Sequence, residues 1–307
     1  MTLDTLLDRA VVPGYTKLGY AIRSRTWPKN DPAPDSLTGK TAVVTGARTG
    51  LGKATAAGLA RIGATVHLAV RNAEKAAPAL ADLQREVPDA TFVLDECDIS
   101  DLDSVRAYAA TITSPVHALI HNAGVMPPKR TESAQGHELT LATHVLGPLL
   151  LTDLLRDRLT TGRVILVASG GMYTQPLPKD PEYQDAPYKP ATAYARTKRI
   201  QVALTPLLAA DLTPTFVACM HPGWSETPGL TDSLPGFTQL TRRLLRTPEE
   251  GADTTIWLSA TNPRPPTGKF WHDRRSRPTH YFNLTQESPE QRDSLWRHCR
   301  TAAGIPD

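Results

Sequence analysis

Tyr194-Ala195-Arg196-Thr197-Lys198 and Ser169 are the residues best placed by type and spacing to do chemistry. Tyr and Lys four apart share one face of a helix. An ammonium beside a phenol favours the phenolate, and a free Tyr has a pKa of about 10, so Lys198 would draw Tyr194 toward a general acid/base range. A hydroxyl such as Ser169, at the end of an apolar strand, would hold a substrate oxygen against that phenol. The pair alone is common, and an exposed Tyr with a solvated Lys is the more frequent explanation of it, so the surrounding elements have to decide.

Thr45-Gly46-Ala47-Arg48-Thr49-Gly50-Leu51-Gly52 lies between an apolar strand and a long helical pattern. Free N–H groups and the dipole at a helix start attract phosphate. Glycines let the backbone approach a pyrophosphate and let the helix pack close to the strand. Gly46, Arg48, Thr49, Gly50, Leu51 and Gly52 are therefore the candidates for a dinucleotide, in G-x-x-x-G-x-G spacing. The second strand ends at Val70-Arg71-Asn72. Arg71 stands where an acidic residue would bind a ribose 2′-hydroxyl, and it suits a 2′-phosphate. NADP(H) is the preferred cofactor, with NAD(H) the alternative. Asp98 and Ile99 follow the third strand, where Asp98 could accept from an adenine amino group or serve as a helix N-cap.

Seven apolar runs read as strands: Lys40–Val44, Thr65–Val70, Thr91–Leu94, His117–Ile120, Arg163–Ala168, Thr215–Met220 and Lys269–Trp271. They alternate with helical patterns over Gly50–Ile62, Ala73–Glu86, Asp101–Thr113, His137–Leu159, Thr192–Asp211 and Pro248–Ala260. This alternation implies an α/β fold, a single Rossmann-type doubly wound domain with a seven-stranded parallel sheet flanked by helices. Residues 37–307 form that domain. Residues 1–36 read as an N-terminal arm of two short helices broken at Val11-Val12-Pro13-Gly14. Ser288, Pro289 and Gln291 open a C-terminal helix as N-cap, N1 and N3.

Bulk properties exclude several classes. The 307 residues carry 34 Lys+Arg against 31 Asp+Glu, net +3, too weak a field for nucleic acid. Three cysteines, Cys97, Cys219 and Cys299, fit neither a disulfide framework nor a metal site. No signal-peptide order and no run of 18 apolar residues is visible, so a cytoplasmic location is expected.

With these residues in place the chain resembles the short-chain dehydrogenase/reductase family. The resemblance rests on the glycine loop, on His121-Asn122-Ala123-Gly124, on Ser169 with Tyr194-x-x-x-Lys198, and on Pro222-Gly223 with Thr227. Within the family it is similar to the branch called member twelve in animals. Gly14-Tyr15-Thr16-Lys17-Leu18-Gly19-Tyr20, Ser169-Gly170-Gly171-Met172, His221-Pro222-Gly223-Trp224 and Phe270-Trp271-His272-Asp273-Arg274 carry that likeness. The resemblance implies that Tyr194 is the proton donor to a carbonyl, that Lys198 lowers its pKa and holds the nicotinamide ribose, and that Ser169 orients the substrate oxygen. It implies that Asn122, with Ala123 and Gly124, supports the sheet beside the cofactor. Pro222, Gly223 and Thr227 would contact the nicotinamide. The function implied is an NADP(H)-dependent oxidoreductase interconverting a carbonyl and an alcohol on a small-molecule, lipophilic substrate. The alternative is a non-catalytic NADP(H)-binding regulatory protein.

The sequence departs from the family at two places. His144 stands where many members carry a catalytic Asn whose carbonyl holds a relay water. His144 is thus a candidate proton shuttle, or it simply fills the Asn space. A proline-rich insert at Tyr173–Pro190 lengthens the Ser169–Tyr194 interval and either shapes the pocket or decorates it. Trp224 and a lid at Leu230–Leu240 would cover substrate, while His221 and His272 read as structural. The arm's basic and apolar mix would suit a membrane surface, though packing on the domain is preferred. Family members often form homo-oligomers through helices that include Leu146–Leu155 and Thr192–Ala210, faces that the arm and C-terminal helix could block.

Overall fold

The apolar runs form one sheet, and its buried middle lies directly under the glycine and asparagine motifs. A computed structural model describes residues 3–226, 241, 243–281 and 283–306. Its strands are β1 (Thr41–Thr45), β2 (Thr65–Val70), β3 (Phe92–Glu96), β4 (Ala118–His121), β5 (Arg163–Val167), β6 (Phe216–Met220), β7 (Lys269–His272) and β8 (Arg275–Ser276). Their order is β3-β2-β1-β4-β5-β6-β7-β8. The first seven pair in parallel, while β8 runs antiparallel to β7 through Trp271↔Ser276 and His272↔Arg275. The sheet therefore has eight strands rather than the seven expected. Asp273 and Arg274 both take positive φ, 49° and 56°, and turn the chain back within two residues. That hairpin geometry favours Asn-Gly or Asp-Gly, and without a glycine it left no signal in the sequence.

Alternation along the strands divides the core. Ala42, Val44, Ile120, Ile165 and Ala218 point to the face covered by α4 (Gly50–Arg61), α5 (Ala73–Glu86) and, beyond β6, α10 (Pro248–Ala260). Val43, Leu119, Val164 and Val217 point to the other face, with α6 (Leu102–Thr111), α8 (Gly147–Leu154) and α9 (Pro190–Asp211). Both faces are covered, which is why these strands are apolar throughout. The expected helix over His137–Leu159 is a continuous helical run with an internal change of winding. It comprises α7 (Leu139–Leu141), a π turn over Ala142–Leu146, then α8 and a 3-10 turn at Arg156–Arg158. At Gly147 a Cβ would lie 1.9 Å from the Ile99 carbonyl oxygen, so this run and the loop after β3 meet backbone to backbone.

The C-terminal helix α11 (Pro289–Ala303) starts with a reciprocal capping box between Ser288 and Gln291 and ends at left-handed Gly304. It packs on α8, α9 and the π turn, with Leu295, Cys299 and Ala303 in their shared core. It thus covers part of the helices through which relatives were expected to pair. The arm comprises α1 (Leu3–Arg9), α2 (Val11–Tyr15) and α3 (Lys17–Ser24). Val11–Tyr15 is helical despite Pro13-Gly14, correcting the expected break. The arm packs on the domain: Asp4 pairs with Arg23, Arg275 and Arg277, and Arg23 also pairs with Asp273. Removing one partner of the buried Arg23–Asp273 pair costs about 3–5 kcal/mol. No helix of the described residues is long and apolar enough to cross a membrane.

Candidate active site

Strand order reverses between β1 and β4, and in an open parallel sheet the crevice for ligands lies there, at the strand carboxyl ends. A cavity of about 800 Å³ occupies that place. It is lined by Gly46, Arg48, Thr49, Gly50, Leu51, Gly52, Arg71, Asp98, Ile99, Asn122, Ala123, Gly124, Ser169, Tyr194, Lys198, Pro222 and Gly223. His144 does not line it, and Thr227 and Leu230–Leu240 lie outside the described residues.

At the phosphate end the chain leaves β1 through Gly46 at φ +68° and enters α4 through Gly50 at φ +53°. Thr49 is extended and makes no side-chain cap, so the first N–H groups of α4 keep no side-chain partner. A Cβ at Gly52 would lie 2.3 Å from the Gly46 carbonyl oxygen, and one at Gly46 would lie 2.8 Å from Ala123 Cα. The cradle is therefore a place only glycine can build, and its open N–H groups fit a pyrophosphate. Asn122 stitches β4 to β1, its Nδ2 donating to the carbonyls of Thr45 (3.0 Å) and Gly46 (3.3 Å). The Asn122 and Ala123 N–H groups both donate to Thr45 Oγ1 at 3.0 Å.

Arg48 and Arg71 are exposed on the cavity rim and make no ion pair among the described residues. Lys75 joins them on the lining, a cation the sequence reading missed. Its signal was its place three residues beyond Asn72, which caps α5 by accepting from the Lys75 N–H at 2.7 Å. Asp98 is not a helix cap. Its Oδ1 accepts from Ser100 N–H and Oγ–H at 2.9 and 2.7 Å, and Asp101 caps α6 instead. Asp98 lines the cavity beside Ile99, the position from which a carboxylate could meet adenine.

At the other end, Ser169 leaves the C-terminus of β5 and its Oγ accepts from Gly171 N–H at 3.2 Å. Tyr194 and Lys198 share one face of α9, with Nζ 5.5 Å from the phenol ring centroid. Ser169 and Tyr194 line the same cavity. Lys198 Nζ donates to the Val167 carbonyl at 2.7 Å, beneath Ser169. The electrostatics differ from the expected ones. Burial raises the Tyr194 pKa, and the nearby Ser169 hydroxyl opposes that rise without cancelling it. Burial also drives Lys198 down to about 7. Desolvation is the largest influence on both groups and disfavours either charge, so Tyr194 stays a phenol at neutral pH.

His144 sits in the π turn, fully buried, its ring edge-on to Tyr194 at 5.3 Å. Its Nε2 accepts from Val125 N–H at 3.0 Å. That bond assigns the proton to Nδ1, which donates to Thr197 Oγ1 at 2.7 Å. Thr197 in turn donates to the Tyr194 carbonyl at 2.9 Å. Burial, then the Lys198 charge, holds His144 far below its usual pKa. The expected titrating shuttle is thus a neutral ring with both nitrogens engaged. Its carbonyl, expected to hold a relay water, accepts from Gln201 Nε2 at 2.7 Å. Thr197 and Gln201 escaped the sequence reading because their partner is distant in the chain.

The insert after Tyr173 is tied down. Glu182 accepts from His137 Nδ1 and Glu138 N–H at 2.8 Å each, and its carbonyl accepts from Arg130 Nε at 3.1 Å. Tyr188 donates to Glu138, whose carboxylate caps the helical run that carries His144. Thr174 from the insert lines the cavity, as do Val125, Met126, Leu139 and Thr143. His221 and His272 are buried and stacked 3.8 Å apart behind Pro222, both with lowered pKa from burial, as expected of structural residues.

The short chain dehydrogenase family model matches residues 40–235. Dehydrogenase/reductase SDR family member 12 of Bos taurus is 37% identical over 294 residues, covering 92% of this chain and 91% of that protein. Retinol dehydrogenase 12 of Homo sapiens is 34% identical over 248 residues, covering 77% and 78%. A crystal structure of an uncharacterised protein from Mycobacterium paratuberculosis superposes with a TM-score of 0.72 at 29% identity, over 89% of this chain and 96% of that one. The glycine cradle, the Asn122 stitch and the Ser169, Tyr194 and Lys198 cluster therefore sit in a chain that belongs to the short-chain dehydrogenase/reductase family of oxidoreductases.

Proposed function

We propose that the protein is an NADP(H)-dependent enzyme that interconverts a carbonyl and an alcohol on an uncharged, lipophilic substrate. The observation that carries this reading is the meeting of Ser169, Tyr194 and Lys198 in the same cavity as the glycine cradle. A nicotinamide held in this cavity would supply or accept the hydride at the substrate carbon. Ser169 Oγ holds the substrate oxygen, and Tyr194, kept a phenol by burial, donates its proton to that oxygen in the reducing direction. Lys198, with a pKa of about 7, exchanges protons near neutrality and can refill Tyr194.

The 2′-phosphate preference rests on Arg71, with Arg48 and Lys75 beside it on the same rim. The substrate class rests on the lining. Among the described residues, Arg48, Arg71, Lys75 and Asp98 lie at the adenine and phosphate end, and Lys198 lies beneath Tyr194. Among the described residues, Val125, Met126, Leu139, Thr143, Thr174 and Trp224 also line the cavity, and none of them carries a charge to pair a substrate carboxylate or phosphate. A relative named for retinol, an apolar alcohol, supports the same class. Three free, buried cysteines support a reducing compartment, the cytoplasm.

Tyr194→Phe tests the assignment. NADPH oxidation over a panel of neutral and carboxylate-bearing aldehydes and ketones should fall about 1,000-fold, in the range general acid catalysis supplies. NADPH fluorescence titration should give an unchanged Kd. Turnover above a tenth of wild type in that variant would overturn the role of Tyr194. Tight NADPH binding with no turnover on any carbonyl would favour the regulatory alternative.

A further inference from the structure

The arm places Tyr15 behind the reacting end of the cavity. Its side chain is 2% exposed and stands between two backbone segments that reach the site from opposite sides. On one side is Gly170, next to Ser169, where a Cβ would lie 2.8 Å from Tyr15 Cε2. On the other is Gly223, where a Cβ would lie 2.7 Å from the Tyr15 carbonyl oxygen. That carbonyl accepts from Trp224 N–H at 2.8 Å, and Trp224 lines the cavity. The ring meets His221 at 4.5 Å, His272 at 5.1 Å and Trp224 at 6.5 Å.

A buried ionic network holds the arm in this position. Arg246 donates to the carbonyls of Gly14, Thr16 and Pro222, each at 3.2 Å, and to both oxygens of Asp273. Arg23, from the arm, donates to Asp273 at 2.7 Å and to the Gly14 carbonyl at 2.8 Å. The Tyr15 hydroxyl, by contrast, has no hydrogen-bond partner among the described residues. Its contribution is shape and the main chain, and the phenol oxygen is dispensable.

We propose that Tyr15 is a positioning residue of the active site, setting Ser169 through Gly170 and the nicotinamide-side wall through Gly223 and Trp224. This rests on the reading of Ser169 and Tyr194 as the reacting pair. The arm is then part of the enzyme rather than an appendage, and Gly170 stays a glycine because the Tyr15 ring fills the space beside it, while Gly223, at φ +77°, is hemmed in by Arg246 and the Tyr15 main chain.

Full-length Tyr15→Ala should lower kcat/KM about 100-fold, as small misplacements of reacting groups do, and Tyr15→Phe should restore it. Gly170→Ala, which adds a methyl and removes no core packing, should produce a similar loss. That loss should shrink in the Tyr15→Ala background, because the methyl then has room. Amide exchange with NADPH bound needs no substrate. Tyr15→Ala should speed exchange over 168–174 and 221–226 more than tenfold and leave β1 and β4 unchanged. Unchanged exchange at both segments, or additive losses in the double variant, would overturn the proposal. If Tyr194→Phe stays active, the catalytic reading fails, while faster exchange in Tyr15→Ala would still establish the coupling. If Tyr194→Phe is inactive and Tyr15→Ala is wild-type in both readouts, only the Tyr15 inference falls.

Discussion

The two ends of the cavity are built in opposite ways. The phosphate end comes mainly from one short stretch, Thr45–Gly52, whose glycines and open helix start create the cradle locally, with exposed Arg48 and Arg71 on its rim. The reacting end is assembled from β5, α9, the loop after β6 and the arm, and its titratable groups are desolvated. A local site in water can be varied residue by residue. A desolvated site made of distant segments has shifted pKa values, and its geometry depends on residues that never touch substrate.

Lys198→Met probes the desolvated end most severely, and turnover should fall about 1,000-fold, comparable with loss of the acid itself. The same variant carries a pH signature. Lys198 has a folded pKa of about 7 against an ordinary 10.5, so between these values the unfolded chain holds a proton that the native chain lacks. Wild-type stability relative to Lys198→Met should therefore rise with pH from about 7 to about 10.5, by at most about 1.4 kcal/mol per unit, and be lowest below 7. Urea unfolding at several pH values measures this, and a flat difference would mean that Lys198 is solvated.

At the local end, Gly52→Ala pushes a methyl against the Gly46 carbonyl, and cofactor Kd should weaken about 100-fold by calorimetry. Arg71→Asp should weaken NADPH about 30-fold and leave NADH nearly unchanged, since only the 2′-phosphate is lost as a partner. Equal wild-type affinities for the two cofactors would remove the NADP reading. The smallest effect is expected at His144. A neutral ring cannot produce a titration, so wild type and His144→Asn should share one pH profile of activity between about 5.5 and 8. His144→Ala, which strands the Val125 N–H, should cost about 1–3 kcal/mol of stability. A step near 6.5 present only in wild type would restore the shuttle.

How much was legible follows this division. The glycine loop, the strands and the capping box at Ser288 were readable because each depends on neighbours in the chain. The β8 hairpin was hidden because Asp273-Arg274 adopts a turn conformation usually given to glycine. The hydrogen bonds of Thr197 and Gln201 to His144 were hidden because they span more than 50 residues. The arm was visible as a segment, yet nothing in its residues indicated that Tyr15 would meet Gly170 and Gly223.

By itself, the sequence determined the parallel α/β architecture, the glycine loop at the start of α4 and the spacing of Ser169, Tyr194 and Lys198, because periodicity, glycine placement and helix spacing are local properties. Only the tertiary structure decided the state of those residues. It raised the Tyr194 pKa further, lowered that of Lys198 to about 7 and left His144 a neutral ring. It also brought Tyr15 behind Ser169. Desolvation and long-range packing depend on which segments close over a group, and spacing along the chain carries no record of that.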